Sequence, residues 1–337
     1  MSIRNVIITA LLLLLFVLGS ACSNTNETGG NDGDDKEGIS LKLAHVGSDS
    51  HQYNIASEKF KELVEEQSKG SIHIEIHGNA TLGSEADAIE QVMDGSIEIT
   101  TVAPDSSFAN TVPEMNIFGI PYLFQDREHV YSVLDGEIGE QLFTYVDQHQ
   151  MKGLGWWEVG FRHLTNNKKE IKTPEDMKSL KIRVQPSPVW EVHMKSLNAS
   201  PTPVDFNELY SALDQGLVDG QENPLPTIDS MKFYEVQQYV SLTAHTYNPA
   251  IVVINQGVWE SLNEEQRQIL QDAVDGTTNF IRKTLEEQES EIIKKLEDNG
   301  VTITEPDREL FKDATKEVRE AVKEVPEELI EKIEKTK

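Results

Sequence analysis

Apolar and polar positions alternate strictly from Ser71 to His77, reading SIHIEIH, which predicts a strand with one buried face. Leu41 to Val46 is a second short run of strand type. Between them, helical spacing runs from about Asn54 to Ser68, with Ala56, Phe60, Leu63 and Val64 on one side. Ser84 opens the next helix and Asp87 stands three residues on, the spacing of a capping box, with Ile89, Val92 and Met93 inward. Ile97 to Val102 returns to strand. Strands and helices alternating at this pitch predict a parallel, doubly wound sheet.

The same rhythm restarts after residue 150. Lys152 to Glu158 and Lys181 to Val184 read as strands, and Thr173-Pro174-Glu175-Asp176 as a capped helix start. Pro188 to Leu197 is a helix. Asp205, with Glu208 three residues on, caps another that ends at Gly216. Val218 to Gln221 is a short strand, and Tyr239 to Thr243 and Ala250 to Ile254 read as returning strands that cross between the halves. From Asn263 to about Asn299 one helical pattern carries Ile269, Ala273, Phe280, Leu285, Ile292 and Leu296. That length exceeds an ordinary domain helix and suits a brace between two lobes.

The ends add a location. Val6 to Leu18 is nearly all apolar behind Arg4; such a helix spans about 20 Å, short of a hydrocarbon core of roughly 30 Å. Residues 1–21 therefore read as an export signal. Leu18-Gly19-Ser20-Ala21-Cys22 resembles a bacterial lipobox, with Gly19 where an aliphatic residue is usual and Leu18 one place further out. The expectation is a lipidated Cys22, acylated by two chains, that anchors the protein to the outer face of the cell membrane. Residues 22–38, almost without apolar side chains, make a flexible tether to the domain, an arrangement suited to a Gram-positive surface.

Composition narrows the partners. Cys22 is the one cysteine, so no intramolecular disulfide forms. With 58 acidic against 30 basic residues the formal charge is −28, which excludes a nucleic acid partner. No HExxH, GxSxG, P-loop or CxxC occurs, and no carboxylate pair stands out as an acid–base dyad. His73, Glu75 and His77 share a strand face, but period-2 spacing makes that a solvated face rather than a metal site. No cofactor is called for.

Two arginines remain. Arg183 lies in Leu180-Lys181-Ile182-Arg183-Val184, where a guanidinium among apolar neighbours must be paired. The residues alone leave its partner open: a carboxylate of the protein, or one on a ligand held bidentately. Arg162 follows Gly160-Phe161 at a strand's carboxyl end, where doubly wound sheets bind ligands; it otherwise caps a surface loop. Asn223, before Pro224, reads as turn chemistry or as a ligand contact. Phe206 and Trp157 are core residues or walls for a ligand's carbon body.

The stretch WWEVGFRHLTNN with KIRVQPSPVW and GLVDGQENP resembles the substrate-binding proteins of TRAP transporters (tripartite ATP-independent periplasmic transporters). Supporting runs are Leu82-Gly83-Ser84, Gly119 to Phe124 and Phe233 to Gln237. The resemblance implies an α/β fold of two periplasmic-binding-protein-like lobes: residues 39–160 with 249–288, and 161–248 with 289–337. A cleft would lie between them, with a long C-terminal helix as brace. It implies that Arg183 forms a salt bridge with the ligand carboxylate and that Arg162 assists. Asn223 would contact the ligand, while Phe206 and, more weakly, Trp157 pack on it. First-lobe groups are expected near His45, His51 and the Ala103–Ser106 turn. The implied function is capture of a small organic acid anion by hinge closure and its delivery to membrane permease subunits. A C4-dicarboxylate is favoured by Lys232 to Gln237 and Leu242 to His245; sugar acids, sialate and ectoine follow. A secreted carbohydrate-active enzyme and a sensor module are the other classes.

Overall fold

The structure, a computed structural model, describes residues 38–337. The expected export signal, Cys22 and nearly all of the tether lie outside those residues.

Among the described residues ten strands carry the fold: β1 (Ile39–Ala44), β2 (Ile72–His77), β3 (Ile99–Val102), β4 (Met151–Asn166), β5 (Lys181–Val184), β6 (Ser200–Pro203), β7 (Gly220–Pro224), β8 (Tyr239–Ser241), β9 (Tyr247–Asn255) and β10 (Thr302–Thr304). They run in the order β2-β1-β3-β9-β4-β7-β5-β6, with β8 beside β4 and β10 beside β8. β1, β2 and β3 are parallel, as are β5, β6 and β7. The parallel expectation therefore holds inside each half. β4 and β9 run antiparallel to their neighbours, so the whole is mixed.

β4 joins the halves. Its residues from Met151 to Phe161 pair with β9, and those from Arg162 to Asn166 pair with β7. The sequence reading ended this strand at Glu158. Nearly every residue of β4 is buried on both faces, so no alternation marks its length. Gly160 explains how it continues: the ladder shifts register between Glu158 and Gly160, where φ is +120°, a backbone open to glycine alone without strain. The returning strands cross as well: β8 pairs with the Leu164–Asn166 part of β4, whereas β9 pairs with β3 and with Met151 to Phe161.

The long helix Glu264–Asp298 begins at an Asn263–Gln266 capping box and extends about 52 Å. Leu270, Ala273, Val274, Ile281 and Leu285 enter the core that holds Phe60 and Trp157. Ile292 and Leu296 enter a separate core with Leu209, Phe233 and Val240. One helix thus packs in both halves, as a brace must. Phe280 was expected on its inner face but is 37% exposed, under the Lys59 ammonium. Arg282 adds a two-point ion pair to Asp135, at 2.6 and 2.7 Å.

Local starts differ in two places. The Thr173 capping box forms, but over a single 3-10 turn, Pro174–Met177. Asp205 makes no cap hydrogen bond; a 3-10 turn, Phe206–Glu208, precedes the helix Leu209–Asp214.

Candidate functional site

The change of partner along β4 places Arg162 at the junction of the two sheets, and it is 1% exposed. Register sets Arg162 opposite Pro224, so Glu222 is its diagonal neighbour on β7, within reach of a long side chain. Arg162 Nε and Nη2 both donate to the Glu222 carboxylate, with Nη2 to Oε1 at 2.9 Å. Nη2 also donates to the Glu222 carbonyl at 2.8 Å and to Asn223 Oδ1 at 3.0 Å. Nη1 donates to Asn248 Oδ1 at 2.9 Å, and the guanidinium lies 5.2 Å from the Trp190 ring. Burial alone would raise the Glu222 carboxyl. The Arg162 charge and a hydrogen bond from His245 outweigh it and hold the acid below its usual range. Arg162 is therefore neutralised inside the protein rather than capping a surface loop.

Arg183, the penultimate residue of β5, is equally buried and differently treated. Its Nε donates to the Val204 carbonyl at 2.8 Å. Its Nη1 is buried with no acceptor, and among the described residues it forms no ion pair within 4.0 Å. Burial lowers its pKa to about 10, with the more distant Glu222, Glu85 and Asp205 opposing, so it remains a cation at neutral pH. Gln185, two residues on, buries a second donor, Nε2, without an acceptor.

Gln185, Arg162 and Asn223 line a small, nearly filled cavity of about 10 Å³ that also takes in His51, Tyr53 and Glu85 from the first half. Arg183 is not among the lining residues, but Glu85 and Glu222 are near enough for their charges to act on it. Phe206, half-buried, closes one side. It sits edge-on to His51 at 5.6 Å and to Phe233 at 6.2 Å, so it touches the cores of both halves.

Of the residues expected here, Arg162, Phe206 and Asn223 reach the cavity, whereas Arg183 is not part of its lining and feels the charge of Glu85, which is. Asn223 is inside β7 rather than in a turn beyond a strand; its Oδ1 accepts from Arg162 and its Nδ2 donates to Gln221. Trp157 is not brought in. It is 1% exposed and packs 6.0 Å from Phe60 in the first-half core. Of the first-half groups, His51 lines the cavity and stays neutral, its pKa lowered by burial to about 3. Its Nδ1 accepts from the Tyr53 amide, which leaves the proton on Nε2, facing Thr227. In the Ala103–Ser106 turn, Ala103 lines the cavity. Asp105 accepts from Asn248 Nδ2 at 2.8 Å through Oδ1, while Oδ2 is buried without a donor. Among the described residues no group of three acidic, His or Cys side chains is arranged to hold a metal ion.

Sequence reasoning missed Glu222, Gln185, Glu85, Asn248 and His245. A signal existed for Glu222 alone: an acid inside GLVDGQENP, one of the runs that carry the resemblance. The others needed contacts between segments far apart in sequence.

The chain resembles known proteins along most of its length. Residues 43–325 match the profile of DctP, bacterial extracellular solute-binding protein, family 7. The 2,3-diketo-L-gulonate-binding periplasmic protein YiaO of Escherichia coli K12 is 35% identical over 93% of this chain and 94% of its own. The C4-dicarboxylate-binding protein DctB of Bacillus subtilis 168 is 34% identical over 79% and 77%. Among solved structures, a TRAP periplasmic solute-binding protein from Polaromonas sp. JS666 bound to D-erythronate superposes with a TM-score of 0.85 at 34% identity. That match covers 89% of this chain and 99% of the other.

Proposed function

Because the chain belongs to family 7 of the bacterial extracellular solute-binding proteins, the substrate-binding subunits of TRAP transporters rather than enzymes, we propose that it captures an organic acid anion with Arg183 as carboxylate anchor. The observation that carries this is the state of the two arginines. Arg162 is already matched to Glu222, whereas Arg183 buries a guanidinium nitrogen without an acceptor. A buried unmatched cation is costly, and a ligand carboxylate removes that cost with two charge-assisted hydrogen bonds. Arg162 and Asn223 frame the cavity and Phe206 packs on the ligand's carbon body.

The ligand enters between lobes made of residues 39–160 with 249–288 and residues 161–248 with 289–337, and closure about β4 buries it. Support comes from β4 changing sheets between Phe161 and Arg162 and from the long helix packing in both cores. Closure is favoured because the carboxylate interacts more strongly with Arg183 in the closed form. The loaded protein hands its anion to membrane permease subunits. Lipidation of Cys22 holds it at the outer face of the membrane, a reading supported by the Leu18–Cys22 motif. Relatives that bind a C4-dicarboxylate and a sugar acid both stand near this chain, so both classes are candidates.

A thermal-shift screen of the purified protein against dicarboxylates, sugar acids, sialate, ectoine and neutral sugars tests the reading. Ligand at 100 times its Kd adds about 2.7 kcal/mol of stability. Stabilisation by an acid, lost in Arg183→Ala, supports it; stabilisation by neutral sugars alone sinks it.

A further inference from the structure

Two sets of hydrogen bonds join the lobes without passing through the cavity. On one side the start of the helix Gln52–Gln67 meets the helix Leu225–Ser230. Gln52 Nε2 donates to Thr227 Oγ1 at 2.7 Å, with both residues buried. The hydroxyls of Ser48 and Ser50 donate to the Ser230 carbonyl at 3.2 and 3.3 Å. On the other side the segment after β3 meets the segment after β5. There Ser187 Oγ donates to the Asp105 carbonyl at 2.6 Å, and Asn110 Nδ2 donates to the Pro186 carbonyl at 2.8 Å.

Each set begins next to the cavity and stays outside it. His51 and Gln185 line the cavity, and Gln52 and Pro186 follow them in the chain; Gln52, Asn110 and Ser187 are not part of the lining. The bonds therefore form whenever the lobes meet, whatever lies between them. All the groups are neutral, and most of the acceptors are backbone carbonyls. When the lobes part, water replaces each partner, so one such bond shifts closure by roughly 2- to 10-fold. Gln52 also carries an opposing cost, since its Oε1 is buried without a donor. A clasp built this way holds and still releases.

We infer that Gln52 and Ser187 are the centres of a two-sided latch that favours the closed form by itself, setting how tightly and how long any ligand is held without choosing it. The inference rests on the reading above that the lobes close over an acid. In that reading the carboxylate anchor selects, and the latch multiplies every affinity by one common factor, because apparent affinity scales with the population of the competent form.

The first test needs no ligand. Glu66 and Asp214 are exposed, one on each lobe, and Cys22 is the one native thiol. Dyes on Glu66→Cys and Asp214→Cys in a Cys22→Ser background report the interlobe distance by single-molecule energy transfer. The unliganded protein should show a closed minority of about 1–10%. Gln52→Ala with Ser187→Ala should reduce it about fivefold or more, and Asn110→Ala, at an exposed position where folding is not at stake, should reduce it less. A parent without a closed population, or variants that leave it unchanged, would overturn the latch. Calorimetric and stopped-flow titrations with succinate and with erythronate then read its effect on capture. Both acids should bind more weakly to the variants by the same factor and dissociate faster. A changed ratio between the two acids would mean that the clasps take part in selection, and the inference fails. If neither these nor any other acid binds, the proposed function fails, while the distance measurement still decides the latch.

Discussion

Arg183 and Gln185 stand two positions apart at the carboxyl end of β5, and each buries a nitrogen that no protein acceptor reaches. Pro186 follows, and a residue before proline favours extended backbone. The protein thus carries a desolvated donor pair, prepared before any ligand arrives, and that preparation should show in both affinity and stability.

Replacing Arg183 by Ala should weaken acid binding by about 100-fold or more, since truncating a buried hydrogen-bonded charge costs about 2–5 kcal/mol. Arg183→Lys should bind nearly as poorly, because an ammonium lacks the planar two-point geometry. Both variants should lower the unliganded Tm less than loss of Arg162 does, since Arg183 has no ionic partner there and gives up one hydrogen bond, to the Val204 carbonyl. A titration that leaves the affinity of Arg183→Ala unchanged defeats the anchor.

Arg162 should behave in the opposite way. All three of its nitrogens donate, to Glu222, Asn223 and Asn248, and removing one member of a buried pair strands the other. Arg162→Met should cost about 3–5 kcal/mol of folding stability, measured by denaturant titration with ligand absent. Combining it with Glu222→Leu should recover much of that loss. Additive losses in the double variant would mean the two side chains are not coupled.

These contrasting roles were not legible in the sequence. Both arginines stand in short apolar runs, and what separates them is the partner on β7 that only the pairing of β4 with β7 supplies. The first-half strands and helices were legible because each buries one face, leaving period 2 in β2 and helical spacing in Gln52–Gln67. β4 was not, since burial on both faces erases alternation. Glu85 looked like one more helix acid among many; its burial depends on the Ala103 turn, 18 residues away.

Asp105 gives stability a pH dependence of unusual sign. Burial raises its pKa to about 7, with Arg162 opposing, while the unfolded side chain titrates near 3.8. Its favourable contribution is complete below the unfolded value and is lost as pH rises from about 4 to 7, at up to about 1.4 kcal/mol per unit. His45, His51 and His163, lowered by burial to about 4, 3 and 3, act the other way: their contribution is complete above pH 6.5 and is lost as pH falls. The net slope therefore mixes opposite terms, and the comparison with Asp105→Asn isolates one of them. The stability of the variant relative to the parent should rise with pH between 4 and 7. A flat difference across that window would show that Asp105 titrates normally.

The bend in β4 offers the last handle. Gly160 combines φ of +120° with the register shift that precedes Arg162, and a Cβ added there would stand 3.4 Å from Pro224. That distance is ordinary contact, so the penalty is one of backbone rather than of space. Gly160→Ala should cost about 1–3 kcal/mol of stability. If closure turns about this bend, the variant should also shift the opening and closing rates seen by ligand-binding kinetics, with the protein–carboxylate contacts left unaltered. A variant that is destabilised yet binds and releases with parental rates would place the hinge elsewhere, on β9 or the long helix.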